Sequence, residues 1–232
     1  MTDMHGYTPV EILGKTDHTC LRQDATWNDI KTLCDDAVLL HTASVCIPPS
    51  YVKKAFYHLS GQKPVCTVIG FPNGYMTRET KTYEAADAVR NGAEEIDMVI
   101  NLGWVKNERF DKVLDEIRSV REVTGGKILK VIVETCLLTE SEKIRLCEVV
   151  GESGADFIKT STGFSSGGAT VDDVKLFKAN IPSRVRIKAA GGIKTLDRAR
   201  ELLEAGASRI GASRLVEEFR KIGADAIMNP RV

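Results

Sequence analysis

The sequence predicts an α/β fold, and within that class a (β/α)8 (TIM) barrel built as one domain over residues 1–232. Three observations point there. β-Branched apolar runs alternate with amphipathic stretches in units of about 30 residues, the length of a βα repeat. Runs such as Lys130-Val-Ile-Val-Glu134 are continuous and apolar, as parallel strands covered on both sides require. A weak internal repeat, Asn91-Gly-Ala-Glu-Glu-Ile96, Ser153-Gly-Ala-Asp-Phe-Ile158 and Ala205-Gly-Ala-Ser-Arg-Ile210, marks three helix-to-strand junctions. Glycine there takes the left-handed position after a helix, and alanine lets the helix end pack closely on the sheet. An open doubly wound sheet is the competing arrangement, but no Gly-x-Gly-x-x-Gly turn follows the first strand.

Taken in order, Val10 to Thr19 reads as a capping segment and a short first strand, and Thr26 to Leu40 as a helix capped by Thr26. Thr42 to Ile47 is the second strand, stopped by Pro48-Pro49, and Ser50 to Leu59 is a helix. Pro64 to Phe71 is a strand ended by the turn signal Pro72-Asn73-Gly74. Helices over Arg78–Asn91, Glu108–Val123 and Glu140–Glu152 alternate with strands over Glu95–Asn101 and Leu129–Thr135. The strand within Ala155–Phe164 leads through a glycine-rich loop to a helix over Val171–Ala179. Arg184–Ala189 is a strand, Thr195–Ala205 a helix, Arg209–Ser213 the eighth strand and Val216–Ile222 the closing helix, with a loose tail from about residue 226. Eight strands and eight helices are expected.

Composition narrows the function. Lys+Arg and Asp+Glu balance at 32 each, so no net field points to nucleic acid or an anionic membrane. No apolar run approaches a membrane span, and no secretory signal is visible, so a cytoplasmic protein is expected. The six cysteines show no Cys-x-x-Cys pairing and suit a reduced compartment. The four histidines lack metal-ligand spacing, so no metal is expected.

In a barrel the active site lies at the C-terminal ends of the strands, with apolar side chains facing the helices and alternate ones facing in. Ile96, Met98 and Ile100 face out, so Asp97 faces in; Ile158 puts Lys159 inside, and Ile187 and Ala189 do the same for Lys188. By the same alternation Cys46 and Glu134 point inward. Lys159 and Lys188 should lie on neighbouring strands roughly 5 Å apart. Two ammonium groups so placed repel, so at least one should give up its proton more readily than usual. A neutral lysine attacks carbonyls, and Asp97 can move protons beside it. The plainer alternative is structural ion pairing of these lysines with Asp97 and Glu134; two lysines and an aspartate together favour catalysis. Glycines after the last three strands (Gly163, Gly191, Gly192 and Gly211, with Ser213) suggest a phosphate site, to which Arg214 adds charge.

Asp17-His-Thr19, Val45-Cys-Ile-Pro-Pro49, Ile69-Gly-Phe-Pro-Asn-Gly74, Glu95-Ile-Asp-Met-Val-Ile-Asn101 and Val131-Ile-Val-Glu-Thr135 stand in one order. Phe157-Ile-Lys-Thr-Ser-Thr-Gly163, Lys188-Ala-Ala-Gly-Gly192 and Arg209-Ile-Gly-Ala-Ser213 follow them. In these segments the chain resembles the deoxyribose-phosphate aldolase family of Schiff-base-forming (class I) aldolases. The resemblance implies reversible cleavage of 2-deoxy-D-ribose 5-phosphate to acetaldehyde and D-glyceraldehyde 3-phosphate, without cofactor. It implies that Lys159 is the Schiff-base lysine, Asp97 the proton-relay acid and Lys188 the second lysine. Asp17 and Thr19 match positions near the substrate hydroxyl and the relay water, and Cys46 a thiol near the pocket. Glu134 and Thr160 join them as candidate substrate contacts. Gly163, Gly191, Gly192, Gly211 and Ser213 match the phosphate loops. Longer members carry a C-terminal tyrosine and a lysine where this chain has Phe164; here no tyrosine follows Tyr83, and Arg214 is the expected replacement cation. The other readings are a different lysine-dependent phosphosugar aldolase or transaldolase, and a catalytically silent phosphosugar-binding barrel. A phosphosugar is the expected partner, and a homo-oligomer, dimer or tetramer, the expected state.

Overall fold

The computed structural model describes residues 6–228. Eight parallel strands close in sequence order: β1 (Thr16–Thr19), β2 (Ser44–Ile47), β3 (Val65–Ile69), β4 (Glu95–Val99), β5 (Ile128–Ile132), β6 (Phe157–Lys159), β7 (Arg186–Ala190) and β8 (Arg209–Ala212). β8 returns to β1 with Thr16 opposite Ile210, so no strand edge is left open. Ten α-helices are found among the described residues: α1 (Pro9–Gly14), α2 (Trp27–Leu39), α3 (Val52–Leu59), α4 (Arg78–Arg90), α5 (Leu102–Lys106), α6 (Phe110–Val123), α7 (Glu140–Glu152), α8 (Val171–Asn180), α9 (Leu196–Glu204) and α10 (Leu215–Met228).

The eight-strand barrel matches expectation, and the helix count exceeds it by two. α1 is started by a reciprocal cap in which Thr8 and Glu11 satisfy each other's backbone N–H groups. α5 is a single turn started by the Asn101 side chain before α6 begins. The closing helix runs on to Met228 rather than stopping at Ile222; of the tail expected to be loose from about residue 226, residues 229–232 lie outside the described residues. Thr26 caps α2 as expected, accepting from the Asp29 N–H. The three repeat glycines, Gly92, Gly154 and Gly206, all have positive φ just past α4, α7 and α9.

Alternation sorts the strands into two shells. Val45, Ile47, Val65, Ile96, Met98, Leu129, Val131, Ile158, Ile187 and Ile210 join the helices in one outer core. Each such side chain contributes about 1.5–3 kcal/mol by leaving water. The inward set is different: Cys46, Cys66 and Val68 form a small apolar group under Leu21 and Phe71, and beside them lie charged side chains. The layer outside the sheet is therefore mainly apolar, and the interior is ionic.

Candidate active site

Asp97 on β4 is the centre of the interior. Its Oδ2 accepts from Lys159 Nζ at 2.7 Å and from Lys188 Nζ at 2.6 Å. Its Oδ1 accepts from Lys130 Nζ at 2.9 Å and faces the Cys66 thiol at 3.2 Å. Register brings this about: Lys159 lies opposite Lys188 and Asp97 opposite Lys130 on adjacent strands. Asp97, Lys130 and Lys188 are fully buried and Lys159 is 3% exposed.

The carboxylates decide the lysines' charge. Burial alone would push the Asp97 carboxyl up, but Lys130 and the two facing lysines outweigh it and hold it well below the usual carboxylate range. Burial likewise pulls Lys188 down, and Asp17 and Asp97 more than offset it, so Lys188 binds its proton more tightly than an ordinary lysine. The mutual repulsion expected from sequence does not discharge Lys188, because two carboxylates are in direct contact with it. Lys130 is also raised, again against its burial, by Asp97 and its other anionic neighbours.

The structure redirects several candidate residues. Asp17 is fully buried under the mouth. Its Oδ2 lies 2.5 Å from Lys188 Nζ, an ion pair made off the hydrogen-bonding direction, while its Oδ1 accepts from Ser44 and Arg209. Thr19 lines the cavity, with its hydroxyl donating to the Asp17 carbonyl at 2.7 Å. Cys46 faces inward as expected; its thiol is shifted down by a hydrogen bond from Cys66, whose own thiol burial raises. Glu134 is corrected: β5 ends at Ile132, and Glu134 has left-handed φ of 56°. Its carboxylate leaves the Asp97 group and accepts from the Thr162 N–H and hydroxyl, bracing the loop after β6. Thr160 follows β6 on the face opposite Lys159, as alternation places it, and its hydroxyl bridges to the Ala190 backbone as donor and acceptor.

Above the lysines opens a cavity of about 630 Å³. Gly163, Gly191, Gly192, Gly211, Ser213 and Arg214 all line it, together with Thr162, Phe164 and Arg22. Lys159 and Lys188 lie three or four residues deeper along their strands than Gly163 and Gly191, beneath that lining. Gly168 and Gly191 let two loops touch: a Cβ on Gly168 would meet the Gly191 carbonyl oxygen at 2.3 Å. Gly211 faces inward, where a Cβ would meet Lys188 Cε at 3.0 Å, so it makes room for that lysine as well as lining the cavity. Ser213 and Arg214 are exposed at the rim before α10, whose free N–H groups open there. Phe164 meets Phe71 edge to face across the mouth, with ring centroids 5.2 Å apart.

Lys130, Glu95 and Arg209 were not among the candidates, yet they complete the ionic cluster around Asp97 and Asp17. Lys130 Nζ is 2.5 Å from Glu95 Oε2, and Arg209 reaches both Asp17 and Glu95. Ser161, on the Lys159 face, is buried with a hydroxyl that has no partner among the described residues. Two groups of inward Cys, Asp and Glu side chains are close enough to share a cation, but their carboxylates are already held by Lys130 and Lys188.

An amine in contact with a carboxylate, walled off from bulk water at the mouth of a barrel, is suited to breaking a carbon–carbon bond beside a carbonyl, which makes the class that of an amine-dependent aldolase. Comparison with known proteins narrows this: residues 12–225 match the DeoC/LacD family aldolases, and the chain belongs to that family. It is 54% identical over 202 residues to the deoxyribose-phosphate aldolase of Clostridioides difficile, covering 87% of this chain and 92% of that one. It is 56% identical over 207 residues to the enzyme of the same name from Streptococcus agalactiae, covering 89% and 93%. It also superposes on the tetrameric deoxyribose phosphate aldolase of Aeropyrum pernix with a TM-score of 0.86, at 28% identity and 93% coverage of each chain.

Proposed function

We propose that the chain catalyses reversible aldol cleavage of 2-deoxy-D-ribose 5-phosphate to acetaldehyde and D-glyceraldehyde 3-phosphate through a Schiff base on Lys159. The observation that carries this reading is the shared Asp97 Oδ2, held by both Lys159 and Lys188 beneath a glycine-lined cavity.

Lys159 attacks C1 of the open-chain sugar, and loss of water leaves an iminium. The C3 hydroxyl gives up its proton, the C2–C3 pair moves toward the iminium nitrogen, and glyceraldehyde 3-phosphate departs from an enamine. Protonation of the enamine at C2, then hydrolysis, releases acetaldehyde and the free lysine. Lys188, held protonated by Asp17 and Asp97, is the proton donor, and Asp97 passes protons between the two nitrogens. The loops bearing Gly163, Gly191 and Gly192, with Ser213 and Arg214, receive the phosphate. Ser161 offers its unpartnered hydroxyl between the lysine and those loops. The same reading makes the protein a cytoplasmic homo-oligomer, dimer or tetramer; the Aeropyrum protein is a tetramer.

Borohydride trapping with 2-deoxyribose 5-phosphate, followed by peptide mass mapping, tests it. A reduced adduct on Lys159 that is absent from Lys159→Leu supports the assignment. An adduct on Lys188 would reverse the two lysines, and folded protein that binds the sugar phosphate without any adduct would overturn the mechanism.

A further inference from the structure

The charged groups facing one another inside the barrel come from every strand but two. β1 gives Asp17, β4 Glu95 and Asp97, β5 Lys130, β6 Lys159, β7 Lys188 and β8 Arg209, while β2 and β3 supply the thiols Cys46 and Cys66. Arg186 stacks over the Phe157 ring, 4.0 Å from its centroid, is exposed, and makes no ion pair with these carboxylates among the described residues. Three carboxylates thus face four cations.

The cations are not equally placed. Lys130 lies 2.5 Å from Glu95, 2.9 Å from Asp97 and 3.8 Å from Asp17. Lys188 lies 2.5 Å from Asp17 and 2.6 Å from Asp97. Arg209 lies 2.5 Å from Asp17 and 3.2 Å from Glu95. Each of these three spans at least two carboxylates, and together they match all three. Lys159 touches one carboxylate oxygen, Asp97 Oδ2 at 2.7 Å, and shares it with Lys188. It is the one cation left over once the three carboxylates are matched. A buried cluster resists any other charge state, since an unmatched charge in a low-dielectric interior is costly.

We propose that Lys130 is a positioning residue for the aldolase: by binding Glu95, Asp17 and the far oxygen of Asp97, it completes the charge match that leaves Lys159 free to act as a neutral amine. It does so without reaching the substrate, since it lies in the layer below the two upper lysines and is sealed from the cavity. The inference deepens the Schiff-base reading of Lys159 and rests on it.

The test is the pH dependence of reductive trapping on Lys159 with 2-deoxyribose 5-phosphate. In Lys130→Met, three carboxylates face only Lys188 and Arg209, so Lys159 is retained as the third cation. The trapping midpoint moves alkaline by a unit or more, and trapping at pH 7 falls about tenfold or more. Lys130→Arg keeps the charge and stays close to wild type. Lys130→Met with Glu95→Gln restores the match, and its midpoint returns toward wild type, a rescue that a purely space-filling role for Lys130 would not produce. Glu95→Gln alone leaves two carboxylates under four cations and moves the midpoint the other way, which keeps the idea testable should Lys130→Met fail to fold. An unmoved midpoint in folded Lys130→Met, no rescue in the double variant, or an alkaline shift in Glu95→Gln would overturn the proposal. Wild-type protein that traps no adduct on Lys159 would sink the Schiff-base reading itself, a different failure from an unmoved midpoint.

Discussion

Two buried lysines in this molecule sit against carboxylates at the same distance and do different work. Lys81 on α4 lies between sheet and helices, 2.7 Å from Glu116 on α6, both fully buried. Its remaining proton partner is the Val99 carbonyl at 2.8 Å, and the second Glu116 oxygen accepts from the Asn101 N–H. One cation meets one anion, and backbone groups use what is left. Lys159 lies 2.7 Å from Asp97, but that oxygen is also held by Lys188, and the interior as a whole carries one cation too many. Burial and contact with a carboxylate therefore do not distinguish an anchor from a nucleophile. Stoichiometry does: the closed pair matches one cation to one anion, and the open cluster holds one cation more than its carboxylates.

The largest effect should come from deleting the odd cation. Lys159→Leu should abolish turnover, by about 10⁴-fold or more, without loss of fold by circular dichroism; a variant retaining a tenth of the activity would end the comparison. Lys188→Leu should lower kcat by about 10²–10³-fold with a smaller change in KM, since a proton donor is lost while the cavity is kept. Lys81→Met should do the reverse. Leaving Glu116 buried and unpaired should cost about 3–5 kcal/mol in urea unfolding, with kcat of the folded fraction unchanged. Adding Glu116→Leu should recover most of that loss.

His18 sharpens the comparison as a buried titratable group with no carboxylate in contact. Burial pulls its imidazole down to about 4, against an ordinary 6.5, and Asp36 offsets this only in part. The folded protein thus refuses a proton that the unfolded chain accepts below about pH 6.5. The stability tied to His18 is complete above that pH and is lost as pH falls toward 4, by about 3 kcal/mol in all. His18→Gln should flatten this part of a stability–pH curve, and an unchanged slope would refute the assignment. The smallest effect belongs to the exposed rim: Arg214→Ala should raise KM for the phosphorylated sugar about tenfold, and an unchanged KM would remove Arg214 from the phosphate site.

Alternation made Asp97, Lys159, Lys188 and Cys46 legible, because their neighbours Ile96, Met98, Ile158, Ile187 and Val45 are apolar and must face the helices. The same rule, applied to Val131 and Val133, turns Lys130 inward. What hid it was depth. Lys130 stands second in the strand expected from sequence, Leu129–Thr135, a position that looks solvent-facing in one dimension, yet β5 runs Ile128–Ile132 and sets it mid-strand, opposite Asp97. Glu95 and Arg209 were masked in the same way. Glu134 failed for the opposite reason: counting by twos carries on past Ile132, where the backbone has left the sheet and taken a positive φ. Lys81 reads as an ordinary helix-surface lysine, since its partner is 35 residues away on another helix. Such long-range pairings leave no local periodicity to read.

The closure of β8 on β1 has a consequence in time as well as in space. Asp17 and Arg209, which share the charge of the lower layer, are 192 residues apart and meet only when the last strand docks on the first. Contacts of that separation form late, because the chain must close its longest loop to make them. Until then Lys159 is one solvated side chain among many, without its contact to Asp97. The Lys159–Asp97–Lys188 contacts are complete only once the barrel is sealed, so on the proposed mechanism a nascent chain does not yet hold the assembled amine.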